Sequence, residues 1–375
     1  MKKNTIMIQQ FILVLTLLVS AVSCSGDENN TDDNGSQVPD PNPDEEVSYD
    51  IPEAEPEDMG FNPEKFREVD SRAALMGRLH SLLVIKNDTL VFENYYNNFS
   101  EGQASNLKSS SKSILNLLIG IAIEEGFIEN INETLYDYVP EIYNDEMDPR
   151  KKDITIEHLM TMTSGLESTS LDNYSAWTNS DDWLRHALEL PMEADPGEWY
   201  AYSTGDTHLL SAILTEATGM SSLEFAQKYL YEPMDIEVTR WETDPQGYNE
   251  GGNNVYVKPY DLAKIGIMVS NGGIYKDQRI VPEDWIEESI KFQVEPQGIS
   301  RPFEIEGYGY LWWLVKANQY STYSAIGHGG QYMMTIPELD LIVVLTSLSQ
   351  GSTPGDHFTD IASLVEDYIL ASLEE

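Results

Sequence analysis

Thiol chemistry is nearly absent from this chain. Cys24 is its one cysteine, which excludes intramolecular disulfides and cysteine-based metal clusters. Positive charge is scarce as well. The 22 Lys and Arg stand against 64 Asp and Glu, a net charge of −42, which argues against nucleic acid and against electrostatic docking on anionic lipid. Glu157-His158 is half of a zinc motif, but no second histidine follows at helical spacing, so no metal and no cofactor are expected. After the first two dozen residues there is no internal repeat and no further run apolar enough to span a membrane.

What the N-terminus does contain is a charged start (Lys2, Lys3), an apolar core from Ile6 to Val22, and the sequence Ala21-Val22-Ser23-Cys24-Ser25-Gly26. This is similar to a bacterial lipoprotein signal, in which a cysteine after small residues becomes the lipidated N-terminus. Residues 1–23 are therefore expected to be a signal peptide. Cys24 is the expected lipidation site, giving an extracytoplasmic membrane lipoprotein, facing the periplasm or on the cell surface. From Asp27 to Asp58 there are thirteen acidic residues and no Lys or Arg. Such a stretch cannot bury enough apolar surface to fold, so residues 24–54 are expected to be a disordered acidic tether, with residues 55–375 as the folded domain.

The strongest chemical signal is Ser109-Ser110-Ser111-Lys112, standing directly before the apolar run Ile114 to Ile123. A serine three residues before a lysine shares a face with it in a first helical turn. Serine needs a base within hydrogen-bond reach, and a lysine is one when burial lowers its pKa. The positive end of the helix dipole acts in the same direction. Ser105-Asn106-Leu107-Lys108 also fits S-x-x-K, but it sits a turn too early among polar residues. Ala201-Tyr202-Ser203-Thr204-Gly205 nearly fits a nucleophile elbow, yet Pro196-Gly197-Glu198 is not the buried strand an elbow requires, so Ser203 is set aside.

The pattern of elements predicts an α+β fold. Leu82 to Lys86 and Leu90 to Tyr96 read as strands joined by an Asn87-Asp88 turn. Helices are expected after Ser109 and over 155–163, 181–190, 207–218, 223–230, 259–270, 282–292 and 358–373. Late strands are expected over 308–316, 331–336 and 341–347. The reading is one antiparallel sheet built from both chain ends and flanked by helices, with a mainly helical lobe at about 127–250 inserted.

Further stretches sharpen this. They are Ile154-Thr155-Ile156-Glu157-His158-Leu159-Met160-Thr161-Met162-Thr163-Ser164-Gly165-Leu166, then Pro196-Gly197-Glu198 to Tyr202-Ser203, Asp261-Leu262-Ala263-Lys264-Ile265-Gly266, Tyr308-Gly309-Tyr310-Leu311-Trp312-Trp313, and Gly327-His328-Gly329-Gly330-Gln331. In this order, with S-x-x-K, they resemble the class C β-lactamase-related, penicillin-binding-protein-like serine hydrolases. That family includes β-lactamases, esterases, D-amino-acid peptidases and hydrolases of short linear amides. The resemblance spans about residues 55 to 373.

The resemblance implies roles. Ser109 would be the acylated nucleophile, Lys112 would take or relay its proton, and Tyr202 would act as base or as proton donor to the leaving group. His328, Gly329 and Gly330 would stand where β-lactamases carry K-T-G, and the backbone N–H groups of Ser109 and Gln331 would form the oxyanion hole. Thr204 replaces the asparagine of Y-x-N, and His328 the lysine of K-T-G. Threonine presents no amide, and a mostly neutral histidine holds a carboxylate less well than lysine does. The expected activity is hydrolysis of a small ester, amide or peptide, with poor β-lactamase activity. The alternative is a binder of peptides or peptidoglycan fragments that is acylated slowly or never.

Overall fold

The computed structural model describes residues 50–238, 240–298, 302–351 and 355–373. The signal, Cys24 and most of the expected tether lie outside these residues. The last five tether residues lie inside them and are part of the fold. Ile51 is buried, Ala54 donates to the Leu90 carbonyl, and the Leu90 N–H donates to that of Pro52.

Helix α1, Pro63–Ala73, begins on a proline with Asn62 accepting two backbone N–H bonds, an N-terminus that composition alone did not single out. Strands β1, Leu79–Lys86, and β2, Thr89–Tyr95, form the expected hairpin. Asn87 and Asp88 both take positive φ, 51° and 57°, as a tight hairpin turn demands. Helix α2, Ser111–Glu124, is buried on every face from Ser111 to Ala122, as its long apolar run requires. Helix α3, Thr204–Thr218, is the hub of the helical lobe. Helix α2 and the short helices Leu135–Tyr138, Ile156–Met160 and Trp183–Glu189 all pack on it. Helix α4, Pro259–Ser270, has the expected bounds.

The C-terminal part differs from expectation. One strand was expected over 308–316, but there are two, β3 (Glu304–Tyr308) and β4 (Trp313–Ala317). The chain breaks between them because Gly309 passes so close to the Ser289 carbonyl that a Cβ there would lie 2.2 Å from it. Leu311 also takes φ 62° and donates its N–H to the Met160 carbonyl. A further strand was not anticipated, β5 (Tyr320–Gly327). It is followed by β6 (Gln331–Ile336) and β7 (Leu341–Ser347). Helix α5, Gly355–Ser363, continues as helical turns to Ser372.

The sheet has the order β2-β1-β7-β6-β5-β4-β3, antiparallel throughout, so the first hairpin is completed by the last strand of the chain. Helix α4 crosses β1, β6 and β7. Helix α1 packs on the C-terminal helical turns, with Phe66 against Phe92 of β2. No helix among the described residues is long and apolar enough to cross a membrane.

Candidate active site

The chain enters the site through a strained residue. Lys108 holds φ 49°, supported by the Asn106 side chain, which accepts its N–H at 3.0 Å. Left-handed backbone at a non-glycine residue costs of the order of 1 kcal/mol and persists where surrounding structure enforces it. It starts the single 3-10 turn Lys108–Ser110 that carries half-buried Ser109 into α2.

Three residues on, Lys112 is fully buried. Its Nζ lies 3.3 Å from Ser109 Oγ, 3.3 Å from Thr204 Oγ1 and 2.9 Å from the Gly252 carbonyl. The Tyr202 ring centroid is 5.3 Å away. Burial pushes the amine's pKa below the ordinary lysine value, while Tyr202, Glu250 and Asp206 push it back up. Around its Cε bond, Nζ has three hydrogen-bond directions. One always points at Gly252, whose carbonyl only accepts. The others are left to serve Thr204 and Ser109.

The other groups come from α3 and the strand ends. Tyr202 is partly buried beside Trp313, with ring centroids 5.8 Å apart. Ser203 is the helix cap. Its buried Oγ accepts from Asp206 N–H at 3.4 Å and pairs with Thr169 Oγ1 at 3.2 Å, which explains why it is no exposed nucleophile. Thr204 turns inward, its hydroxyl shared between Lys112 and Ser170 Oγ at 3.0 Å.

At the end of β5, Gly327 presses on the turn that carries Ser109. A Cβ there would lie 2.3 Å from the Leu107 carbonyl and 3.1 Å from Ser110 N. Gln331 opens β6 with its side chain clamped to β7. Nε2 donates to the Ser347 carbonyl at 2.7 Å, and Oε1 accepts from Ser347 N–H at 3.3 Å. The glycines of this turn pack closely on their own fold: a Cβ on Gly329 would lie 2.8 Å from the Leu348 carbonyl, and one on Gly330 2.9 Å from His357 Nε2. His328 is exposed, its Nε2 3.3 Å from the Gly351 carbonyl.

The motifs did not reveal the groups behind Lys112. Asp206 is wholly buried, and desolvation pushes its carboxyl up to about 7 against opposing hydrogen bonds from Ser164 and Ser203. Burial likewise raises Glu250 to about 7, opposed by the Asn254 amide. Acidic residues are so common in this chain that neither stood out. The adjacent glycines Gly251 and Gly252 are the sequence feature that could have pointed there, since such pairs allow a close backbone approach. Among the described residues no three His, Cys, Asp or Glu side chains converge on a metal position.

A seven-stranded antiparallel sheet with a helical lobe, and a serine one turn before a buried lysine at their junction, define the β-lactamase and penicillin-binding-protein class of architecture. Residues 76–366 match the Beta-lactamase family, and the chain belongs to it. It is 25% identical over 284 residues to a 6-aminohexanoate-dimer hydrolase of Paenarthrobacter ureafaciens, covering 71% of this chain and 72% of that one. A Bacillus anthracis structure provisionally assigned the same activity superposes with TM-score 0.68 at 21% identity, covering 82% of this chain and 80% of the other. EstCE1, a hydrolase with promiscuous acyltransferase activity, superposes with TM-score 0.64 at 16% identity, covering 81% and 98%.

Proposed function

We propose that this protein is a serine hydrolase that cleaves a small ester or amide through an acyl-enzyme on Ser109. The observation that carries the reading is the 3.3 Å approach of Ser109 Oγ to the amine of a fully buried lysine whose pKa is lowered. The neutral amine takes the hydroxyl proton as Oγ bonds to the carbonyl carbon. The resulting oxyanion is received by the backbone N–H groups of Ser109 and Gln331, a role supported by the packing of the β5–β6 end on the Lys108–Ser110 turn. Collapse breaks the ester C–O or amide C–N bond. The leaving group departs with a proton passed on from Lys112 or Tyr202. Water then repeats the attack, releasing the acid and restoring Ser109.

Poor β-lactamase activity follows from two side chains. Thr204 offers no amide and spends its hydroxyl on Lys112 and Ser170, and His328 presents an imidazole near the Gly351 carbonyl where β-lactamases carry a lysine ammonium. The relatives named as hydrolases of an amide dimer and as an acyl-transferring hydrolase support a non-lactam substrate.

Turnover of a p-nitrophenyl ester is expected to fall on the order of a thousandfold or more in Ser109→Ala with the fold intact. Unchanged turnover contradicts the reading, and stable peptide binding without turnover supports a binding protein instead. We further propose that Cys24 is lipidated, anchoring the enzyme to a bacterial membrane on its extracytoplasmic side. The support is the Ala21-Val22-Ser23-Cys24 sequence. Metabolic palmitate labelling lost in Cys24→Ser is the expected result.

A further inference from the structure

Behind the Gly252 carbonyl that holds Lys112 stands a buried pair outside every motif. His208 on α3 and Asp244 in the loop before Gly251 are both fully buried, with Nε2 to Oδ2 at 2.9 Å. His208 Nδ1 lies 3.4 Å from the Gly251 backbone nitrogen. An N–H can only donate, so Nδ1 is the acceptor. The hydrogen of the neutral ring then sits on Nε2 and is donated to Asp244. The other Asp244 oxygen accepts from the Gln246 and Tyr248 N–H groups at 2.8 and 3.0 Å. Trp177 and Trp183 cover the imidazole, ring centroids 5.6 and 5.4 Å away.

The glycines that this pair anchors have no slack. A Cβ on Gly251 would lie 1.9 Å from the Thr207 carbonyl, and one on Gly252 2.4 Å from Lys112 Nζ. A small shift of this loop therefore passes directly to the amine.

We propose that His208 and Asp244 are positioning residues for the acylation step. One tautomer of His208 fixes the Gly251–Gly252 backbone, and the Gly252 carbonyl aims the Lys112 amine at Ser109. This inference rests on the reading of Ser109 and Lys112 as the acylating pair. The ionisable groups acting on Lys112 are Tyr202, Glu250 and Asp206, and Asp244 is the carboxylate bonded to His208.

The test is Asp244→Asn. The new side chain's oxygen still accepts from Gln246 and Tyr248, but its amide now donates to Nε2. The ring hydrogen is forced onto Nδ1, against the Gly251 N–H. Fluorophosphonate labelling of Ser109 and kcat for a neutral p-nitrophenyl ester are expected to fall about tenfold to a hundredfold, the scale of a misplacement near 1 Å, with KM unchanged and the rising limb of the pH–rate profile displaced. A labelled wild type with an indifferent folded Asp244→Asn overturns this inference alone. A wild type that never labels at Ser109 overturns the acylation reading and this inference with it. Should Asp244→Asn not fold, nitrogen-15 NMR of histidine-labelled wild type reads the ring directly. A neutral Nε2–H tautomer across the active pH range is expected, and an Nδ1–H or doubly protonated His208 in active protein overturns the proposal.

Discussion

Burial sets the charge of Lys112 before any partner does. Its pKa lies below the ordinary lysine value of 10.5, so the neutral amine, the proposed base, appears at a lower pH than it would in water. Activity is therefore expected to rise with pH through a midpoint below 10.5, read from kcat/KM profiles. Lys112→Arg should abolish the rise together with the activity, because a guanidinium does not deprotonate. Asp206 has the opposite consequence for stability. Its folded pKa of about 7 lies above its ordinary 3.8, so the folded protein binds the extra proton between those values. The contribution is complete below the unfolded value and is lost as pH rises through about 7, and Glu250 acts in the same direction. Stability should thus fall by a few kcal/mol, at order of magnitude, as pH rises through this window. In urea titrations Asp206→Asn should flatten that slope. An unchanged slope would show that Asp206 does not hold the proton.

At the scale of elements, the two adjacent glycines behind the lysine make opposite demands. A methyl on Gly251 meets the α3 backbone, which cannot yield, so Gly251→Ala should cost about 1–3 kcal/mol of stability. A methyl on Gly252 first meets not backbone but the ends of the Lys112 and Thr207 side chains, so it displaces the amine rather than the fold. Gly252→Ala should therefore lose activity with a much smaller change in melting temperature. The helix α2, the first hairpin and α4 were legible in the sequence, because each is set by local pattern: a long apolar run, an Asn-Asp turn, a proline start. The break between β3 and β4 was not legible. It is imposed by the Ser289 and Met160 carbonyls, which are remote in sequence. Likewise S-x-x-K and Tyr202 were visible as motifs, whereas Asp206, Glu250 and His208 gain their place only when α3 and the 244–252 loop meet.

Across the whole molecule, the sheet joins the first hairpin to the last strand through β1 and β7, so the fold closes only when both ends are present. Its N-terminal edge is the Asp50 to Ala54 segment, where Asp50 bridges Lys276 at 2.6 Å and Lys264 at 3.5 Å. A chain beginning at Glu55 should be less stable than one beginning at Asp50 by about 2 kcal/mol, the value of burying Ile51, as measured by chemical denaturation. The net charge of −42 acts at the same scale. For an anionic ester kcat/KM should rise with ionic strength, and for a neutral ester it should not.

The proposed activation of Ser109 by Lys112 is tested by intact-mass and peptide-mapping analysis after fluorophosphonate treatment. A single adduct on Ser109 that disappears in Lys112→Ala is expected. An adduct on Ser203, or none on the folded wild-type protein, would contradict it.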